Sequence, residues 1–294
     1  MDALSDDGRR GLTLIAFVGS VFSPYYARAR RRGSADPEQH CAVNLALYGE
    51  GGKRWAMTER GRGDLARGDG YLTIGPSRIQ WDGEHLVMQV REVTAPLPSR
   101  LEGTITLTPD FLTGYHFDLD GGSRHHWRPL APSGRIRVEM NHPAMRWEGH
   151  AYLDSNRGEE PLEAGFCYWD WSRAPMGDGG TVVLYEARTR EEEHRLLSLR
   201  FDDRGRAEAM TPPPHQTLPT ATVWRAPRGT RADAGSARIR QTLEDTPFYA
   251  RSLVDMGIHG EQVTAFHESL SLDRFISPVV QWMLPFRMPR RARG

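Results

Sequence analysis

Short segments in which every second residue is apolar recur along the chain and predict β-strands. In residues 135–140 the apolar positions are 136, 138 and 140, and residues 104–108 repeat the pattern. Residues 85–90 and 181–185 are further runs of strand-favouring side chains. Because successive side chains of a strand point to opposite faces, each alternating run would present one apolar face to a core.

Turn residues separate these runs and predict how the strands are connected. Asp82-Gly83 and Gly121-Gly122 are two-residue sequences typical of β-hairpins. Residues 11–22 form an apolar run that is too short to span a bilayer, which needs about 20 residues, so a buried strand is predicted there and an interfacial contact is the alternative. Many short strands between turns are typical of sandwiches and barrels, and the sequence therefore predicts an all-β fold.

Little of the chain has a helical pattern. Residues 245–254 could form one or two helical turns, and the apolar residues 270–286 are interrupted by Pro278 and Pro285. Proline lacks the amide hydrogen that a helix interior needs, so no regular helix is expected across residues 270–286. Two segments rich in proline or polar residues predict loops: residues 211–219 and 229–236.

Composition narrows the classes of partner and cofactor. The 294 residues carry 38 basic and 38 acidic side chains, so no overall field attracts nucleic acid or an anionic membrane. Only Cys41 and Cys167 occur, without the spacing of a disulfide framework or a zinc site, which favours a reducing cytosol. The sequence contains no Gly-rich phosphate loop and no HExxH motif, so neither a nucleotide, a flavin nor a catalytic zinc ion is predicted.

The candidate chemistry lies in three pairs of residues separated by one position: His125 with Trp127, Tyr152 with Asp154, and Trp169 with Trp171. On strands, the members of each pair would share one face, and an acid, a histidine and several aromatic rings are unusual in the lumen of a small barrel. Simpler interpretations stay open. Asp154, followed by Asn156 and Gly158, suits a turn. Buried Trp and Tyr are often core residues, and His125 could lie on an exposed hairpin loop.

The chain resembles the carotenoid 1,2-hydratases (hydroxyneurosporene synthases) along nearly its whole length. The resemblance is carried by segments rich in Trp, Tyr and Pro: residues 11–26, 55–60, 72–76, 149–156, 169–173, 267–274 and 283–289. It implies two lipocalin-like β-barrel domains packed together. Residues 1–160 would form the N-terminal domain that carries the catalytic motifs, and residues 161–294 the C-terminal domain.

The resemblance also implies which residues act and on what substrate. The implied catalytic set consists of the family's His-x-Trp and Tyr-x-Asp pairs: His125, Trp127, Tyr152 and Asp154. Trp169 and Trp171 would contact the substrate. The implied reaction adds water to the C1=C2 double bond at the ψ-end of an acyclic carotenoid, such as lycopene or neurosporene, and gives a 1-hydroxy carotenoid without a cofactor.

An unactivated alkene constrains this chemistry. Hydration has to begin with proton delivery to C2, which leaves a tertiary cation at C1 for water to attack. We expect Asp154 to be the acid, held protonated by burial in an apolar tunnel, and Trp127 and Tyr152 to stabilise the cation through their aromatic faces. His125 could hold the attacking water and take its proton, or it could tune Asp154 through a hydrogen bond; the sequence leaves both roles open.

An insoluble hydrocarbon substrate implies contact with a membrane. Residues 275–286 are largely apolar and are followed by four arginines: Arg287, Arg290, Arg291 and Arg293. This composition suits an interfacial anchor beside anionic headgroups, although the tail could instead pack on the barrel. We therefore expect a cytoplasmic protein that associates peripherally with the inner or photosynthetic membrane. The oligomeric state stays open.

Three other functions compete with hydration. A lipocalin-like carrier would bind an apolar isoprenoid without chemistry, although a buried carboxyl would not help it. A pericyclase or isomerase on the same scaffold would incorporate no oxygen from water. A glycosidase would need a second carboxylate facing Asp154, and Glu163 is not a convincing one.

Overall fold

The chain folds mainly into β-strands. A computed structural model describes residues 1–33 and 35–291. Strands account for 56% of the residues and helices for 11%, which confirms the predicted all-β class with few short helices.

The elements of the described residues follow one another closely. The strands are β1 (Asp2–Ser5), β2 (Arg10–Val18), β3 (Cys41–Gly49), β4 (Arg54–Arg60), β5 (Leu65–Gly68), β6 (Tyr71–Ile74), β7 (Ser77–Trp81), β8 (Leu86–Val93), β9 (Arg100–Pro109), β10 (Phe117–Asp118), β11 (His125–His142), β12 (Met145–Gly158), β13 (Phe166–Pro175), β14 (Thr181–Thr189), β15 (His194–Phe201), β16 (Ala207–Ala209), β17 (His215–Leu218), β18 (Arg228–Arg231), β19 (Arg238–Asp245), β20 (Tyr249–Ile258) and β21 (Glu261–Ser271). The α-helices are α1 (Pro24–Arg31), α2 (Leu162–Gly165), α3 (Leu272–Phe275) and α4 (Pro278–Arg287), and Pro37–Gln39 and Arg62–Asp64 are 3₁₀ turns.

Twelve strands form one nearly closed, barrel-like sheet. Its order is β4–β3–β2–β1–β12–β11–β9–β8–β7–β6–β5, and β10 pairs with the start of β11. The predicted strands at residues 85–90, 104–108 and 135–140 lie in β8, β9 and β11, and the apolar run from residue 11 forms β2. The hairpin predicted at Asp82-Gly83 connects β7 to β8.

Alternation along these strands builds the core of the sheet. Ile105 and Leu107 of β9 and Ile136 and Val138 of β11 are almost completely buried in one hydrophobic cluster with Met88 of β8. Full burial of an aliphatic side chain of this size contributes roughly 1.5–3 kcal/mol to folding. The period-two pattern that predicts the strands therefore also accounts for their packing.

A second sheet has the order β16–β15–β14–β13–β21–β20–β19, and β17 pairs with β18 in a separate two-stranded sheet. Leu184 of β14 and Val254, Met256 and Ile258 of β20 are buried in its hydrophobic cluster, together with Ala265 of β21. The predicted strand at residues 181–185 is the first half of β14.

The chain forms two compact units whose segments interleave along the sequence. The first unit comprises residues 1–110, 134–153 and 281–294, and the second comprises residues 111–133 and 154–280. Both β11 and β12 therefore run from one unit into the other. The division into lipocalin-like domains at residue 160 stays a prediction.

Three segments that the sequence analysis assigned to helix or loop contain strands, and the two predicted loops are loop only outside these strands. Residues 245–254 contain the end of β19 and half of β20, because β20 pairs with both β19 and β21 and this long-range pairing outweighs local helix propensity. Residues 211–219 contain β17, which begins directly after three prolines, and residues 229–236 begin inside its partner β18.

The expected interruption at Pro285 is also wrong. The chain does break between α3 and α4, where Pro278 becomes the first residue of α4. Pro285, however, lies inside α4, and the Met288 amide donates to the Leu284 carbonyl at 2.9 Å, so the helical hydrogen bonding resumes after the proline. A proline removes one intrahelical hydrogen bond and bends a helix without having to end it.

A buried polar cluster joins β18 to β13 and β21. Asp170 accepts hydrogen bonds from the hydroxyls of Tyr168 and Ser269 and from the Gly229 amide. Burial raises the pKa of Asp170 to about 7 and lowers that of His267 to about 4. His267 Nε2 donates to the Gly229 carbonyl at 2.6 Å. Between these pH values both side chains are uncharged, which is how two titratable groups are accommodated in this interior.

Candidate active site

His125 and Trp127 lie at the start of β11 and share one face of the strand, as predicted. His125 is 2% exposed and Trp127 is 0% exposed. His126, between them, points away and contacts Asp118, with Nδ1 and Oδ1 2.8 Å apart. The hairpin predicted at Gly121-Gly122 pairs Phe117 of β10 with Trp127. The exposed-loop interpretation of His125 is therefore excluded by its burial.

Asp154 stands on β12 and contacts Trp127 directly. Trp127 Nε1–H donates to Asp154 Oδ2 at 3.0 Å. Because β12 continues to Gly158, Asp154 belongs to an extended strand and not to the turn that Asn156 and Gly158 suggest. Its side chain is half-buried. One predicted acid and one predicted aromatic residue are thus joined by a hydrogen bond.

Aromatic rings continue from Trp127 in two directions. The ring centroid of Phe117 lies 5.4 Å from that of Trp127, and the ring of Tyr185 lies 5.8 Å from it on another side. Tyr185 is 6.1 Å from Trp169, which is 5.9 Å from Phe166. Three of the four ring pairs pack edge to face, and the Phe117 ring is tilted by 33° to the Trp127 ring. The five rings, named the aromatic row below, bring Trp169 of the predicted substrate-contacting pair into the neighbourhood of Trp127.

Tyr185 is a residue of the candidate site that sequence reasoning missed. Burial raises the pKa of Tyr185 well above its ordinary value, and the charges of Glu268 and Asp154 raise it further. Its hydroxyl therefore stays protonated and can donate a hydrogen bond but cannot act as a base. Nothing local marks this residue, because Tyr185 is one of several buried residues in the run that predicts β14 and reaches the site only through the pairing of β14 with β13.

His125 contacts a second residue that was missed, Asp120. Nδ1 of His125 lies 3.5 Å from Asp120 Oδ2, while Asp120 Oδ1 accepts the backbone amides of Arg124 at 2.9 Å and of His125 at 3.1 Å. Burial disfavours ionisation of Asp120, but the hydrogen bonds outweigh burial and lower its pKa overall. Neither ring nitrogen of His125 hydrogen-bonds to any other described residue, so the direct bond to Asp154, one of the two roles left open, is not formed.

Two glycines confine the imidazole of His125. A Cβ atom on Gly158 would lie 2.8 Å from Cδ2 and 3.2 Å from Nε2, and one on Gly165 would lie 2.7 Å from Cε1. The ring of Phe166 packs edge-on at 4.7 Å between centroids. A larger residue at either glycine would displace the ring. The only sequence signal for this arrangement was Gly158, which the sequence analysis interpreted as part of a turn.

Two groups of residues have the donor atoms of a cation site: His116 with Asp118 and His126, and Asp120 with His125 and Glu160. Within each group one donor atom per residue lies within 4.8 Å of the others. In the second group Arg124 lies 3.5 Å from Asp120 Oδ2 and 3.4 Å from Glu160 Oε2. A metal ion at this position would compete with a guanidinium that already compensates both carboxylates.

The two remaining predicted residues, Tyr152 and Trp171, are both buried. Tyr152 is fully buried in the first unit, where its backbone faces Asp2 of β1, and strand alternation gives it the same face of β12 as Asp154. Trp171 lies on β13, opposite Tyr185 of β14 in the strand register. Their positions are compatible with the predicted roles, which stay predictions.

Comparison with known proteins identifies the family. The family model described as "Carotenoid hydratase CrtC" matches residues 14–294. The acyclic carotenoid 1,2-hydratase of Thiocapsa roseopersicina is 58% identical over 99% of this chain and 72% of that protein, and the one of Rubrivivax gelatinosus is 53% identical with the same coverage. The acyclic carotenoid 1,2-hydratase of Cereibacter sphaeroides is 41% identical over 95% of this chain and 98% of that protein. This chain belongs to the carotenoid hydratase family.

Proposed function

We propose that this chain hydrates the C1=C2 double bond at the ψ-end of acyclic carotenoids such as lycopene and neurosporene and gives 1-hydroxy carotenoids. The observation that carries the proposal is the hydrogen bond between Trp127 Nε1 and Asp154 Oδ2 at one position of the aromatic row. An acid beside closely packed aromatic rings provides both things that alkene hydration needs, a proton and a surface that tolerates a carbocation.

In the proposed first step, protonated Asp154 delivers its proton to C2. Because Oδ2 accepts the indole N–H of Trp127, the acidic hydrogen belongs on Oδ1, and the indole fixes the direction in which it is presented. The two electrons of the double bond form the new C–H bond, and C1 becomes a tertiary cation. Asp154 is left as a carboxylate that the Trp127 N–H stabilises.

In the proposed second step, the aromatic row stabilises the cation until water attacks C1. Cation–π attraction is worth about 2 kcal/mol or more at a desolvated site. Asp120 would hold Nδ1 of His125 protonated, which leaves Nε2 free to take a proton from the attacking water. The proton that His125 takes from water later returns to the Asp154 carboxylate through solvent, which restores both residues, so the cycle consumes only the alkene and one water molecule.

Two parts of the proposal rest on the family resemblance more than on contacts. Tyr152 and Trp171 are assigned to cation stabilisation and substrate contact because they match the family's motifs. The reaction as written uses no cofactor, and dialysis against a chelator should therefore leave turnover unchanged.

The proposed substrate dissolves in a bilayer and not in water, so we propose that the enzyme meets it by peripheral contact with the inner or photosynthetic membrane. Because the polyene is strongly apolar, only the bilayer contains it at a useful concentration.

Turnover of detergent-dispersed lycopene or neurosporene by the Asp154→Asn variant tests the assignment. Asparagine keeps the shape and accepts the Trp127 N–H but cannot donate an acidic proton, so the rate should fall by about 10²- to 10⁴-fold. Chromatography would quantify the 1-hydroxy product, and one oxygen-18 atom from labelled water should appear in it.

Asp203→Asn is the matched control, since Asp203 is an exposed carboxylate of the same unit. Its turnover should equal that of the wild type. Full turnover by Asp154→Asn would contradict the assignment of the acid. Binding of the carotene without any product from the wild type would favour the carrier function, and a product without oxygen-18 would favour an isomerase.

A further inference from the structure

Helix α4 has two apolar faces, one buried against the protein and one exposed to solvent. Val280, Leu284 and Met288 recur at four-residue spacing from within α4 to the residue after it, and they are 6%, 8% and 4% exposed. On another face, Trp282 is 70% exposed and Phe286 is 59% exposed. Gln281 and Arg287 are the polar residues of the helix. Packing explains the first face, but an exposed apolar face on a water-soluble helix has no such explanation.

The exposed face is organised as a patch. The rings of Trp282 and Phe286 contact each other edge to face, 5.2 Å between centroids. Val279 is 67% exposed and precedes Trp282 by three residues, so it lies on the same side of the helix. We call Val279, Trp282 and Phe286 the α4 patch. Elsewhere along the described residues, large exposed apolar side chains such as Leu97 do not form a helical stripe of this kind.

The residues that follow α4 fix the C-terminal end of the helix on β4 of the first unit. The Glu59 amide donates to the Pro289 carbonyl at 2.9 Å, and the Arg291 amide donates to the Glu59 carbonyl at 2.8 Å. The Arg290 guanidinium hydrogen-bonds to the Glu59 carboxylate. The residues after α4 thus hydrogen-bond to the Glu59 amide, carbonyl and carboxylate. These bonds hold the end of the helix that carries the patch, so the patch is not on a frayed end.

Positive charge lies next to the patch. Arg287 is exposed and stacks on the Trp55 ring, 4.6 Å from its centroid, and Arg291 is exposed four residues later. Arg293, which the sequence analysis included, lies outside the described residues. Aromatic side chains beside arginines match the boundary between acyl chains and anionic headgroups, where the rings insert and the guanidinium groups meet phosphate.

We propose that the α4 patch is the surface through which the protein docks on an anionic lipid bilayer. The inference rests in part on the proposed function, since a carotene substrate resides in that bilayer. No described helix is long and apolar enough to cross a membrane. A second copy of the chain is the competing occupant. Three side chains of these sizes expose on the order of 400 Å², about half of the ~800 Å² that each partner of a stable dimer buries.

Vesicle flotation of the purified full chain tests the proposal without any need for turnover. Vesicles of phosphatidylcholine alone are compared with vesicles that also contain phosphatidylglycerol. The wild type should float with both and more strongly with the anionic ones, and added salt should reduce that difference. The Trp282→Ser/Phe286→Ser variant should lose at least about tenfold in partition coefficient, a change of 1.4 kcal/mol.

Two further variants keep the test specific. Trp282→Phe/Phe286→Leu keeps the patch apolar and should partition nearly as well as the wild type. Leu97→Ser removes an apolar side chain that is 83% exposed elsewhere and should have no effect. Circular dichroism melting would confirm that all variants fold. Equal flotation of the serine variant and the wild type, or no flotation of the wild type, would overturn the proposal.

Two more measurements separate this proposal from its alternatives. Light scattering reports association of copies: a wild-type dimer that the serine variant converts to a monomer, with flotation unchanged, would assign the patch to self-association and overturn docking. The ratio of turnover on vesicle-embedded carotene to turnover on detergent-dispersed carotene should fall in the serine variant. Absence of turnover in both media would contradict the proposed function and leave the flotation result to decide docking.

Discussion

Trp127 and Asp154 each limit what the other can do. An N–H donor aimed at a carboxyl oxygen favours the ionised form of the acid, whereas proton delivery to an alkene needs the protonated form. In the proposed reaction, the hydrogen bond fixes the direction in which Asp154 presents its proton and stabilises the carboxylate that remains after the transfer.

Replacement of Trp127 by Phe tests the hydrogen bond, because it keeps an aromatic face and removes the N–H donor. We expect turnover at neutral pH to fall by about 10- to 100-fold, the range for loss of a hydrogen bond to a charged group. The rate of conversion of detergent-dispersed substrate measures this loss. Turnover equal to that of the wild type would mean that Trp127 acts through its ring alone.

Residue-scale prediction from the sequence succeeded where the pattern was local. His125 and Trp127 share a face because both are extended, whereas the role assigned to Asp154 stays a prediction. Tyr185 and Asp120 escaped because their roles depend on contacts with partners that no local pattern reveals. Asp120 was also hidden by the two glycines that follow it, which indicated only a turn.

At the scale of elements, the end of α2 limits the position of the His125 imidazole. Gly165→Ala would place a Cβ 2.7 Å from His125 Cε1 and 3.1 Å from Glu160 Oε1, so the ring has to move. We expect turnover to fall by about tenfold or more, since displacements of the order of 1 Å are costly in catalysis. Gly114→Ala is the matched control, because a Cβ there meets nothing within 4 Å. Equal turnover in both variants would show that the ring position is unimportant.

The cluster that joins β18 to β13 and β21 predicts two opposing pH dependences of stability. Folding raises the pKa of Asp170 from 3.8 to about 7, so the folded state holds an extra proton between these values and its stability falls as the pH rises through them. Folding lowers the pKa of His267 from 6.5 to about 4, so the unfolded state holds the extra proton there and stability rises with pH from about 4 to about 6.5.

Single substitutions should reveal each contribution. In Asp170→Asn, which keeps only the His267 contribution, the free energy of unfolding should increase as the pH rises from 4.5 to 6.5. In His267→Gln, which keeps only the Asp170 contribution, it should decrease as the pH rises over the same interval. Each slope should be at most about 1.4 kcal/mol per pH unit. In the wild type the two slopes should largely cancel. Urea unfolding at several pH values measures all three. Parallel curves for the three proteins would contradict the assigned pKa shifts.

Element-scale prediction failed where tertiary pairing decided the outcome. The strands of the first sheet were predictable because each has one apolar and one polar face. β20 is buried on both faces along most of its length, which removes the alternation that identifies a strand, and its neighbours in the sheet supply the pairing instead. The continuation of α4 through Pro285 was not predicted for a different reason. One proline inside a helix destabilises it by less than the burial of Val280 and Leu284 stabilises it.

At the scale of the whole molecule, equal numbers of acidic and basic residues leave little net repulsion between copies. The pI of about 7.2 means that the net charge is smallest near pH 7. We expect solubility in polyethylene glycol titrations to be lowest near pH 7 and to rise towards pH 5.5 and pH 9. A monotonic dependence on pH would indicate that the α4 patch, and not net charge, governs association.

The register of β12 has a consequence for engineering. Its pairing with β1 sets Tyr152 opposite Asp2 and Ala151 opposite Ala3. Displacing this strand by a single residue would turn Asp154 towards the interior of the first sheet and Leu153 towards the aromatic residues. Directed-evolution libraries that aim at new alkenes should therefore randomise side chains between residues 145 and 158 but avoid insertions and deletions there.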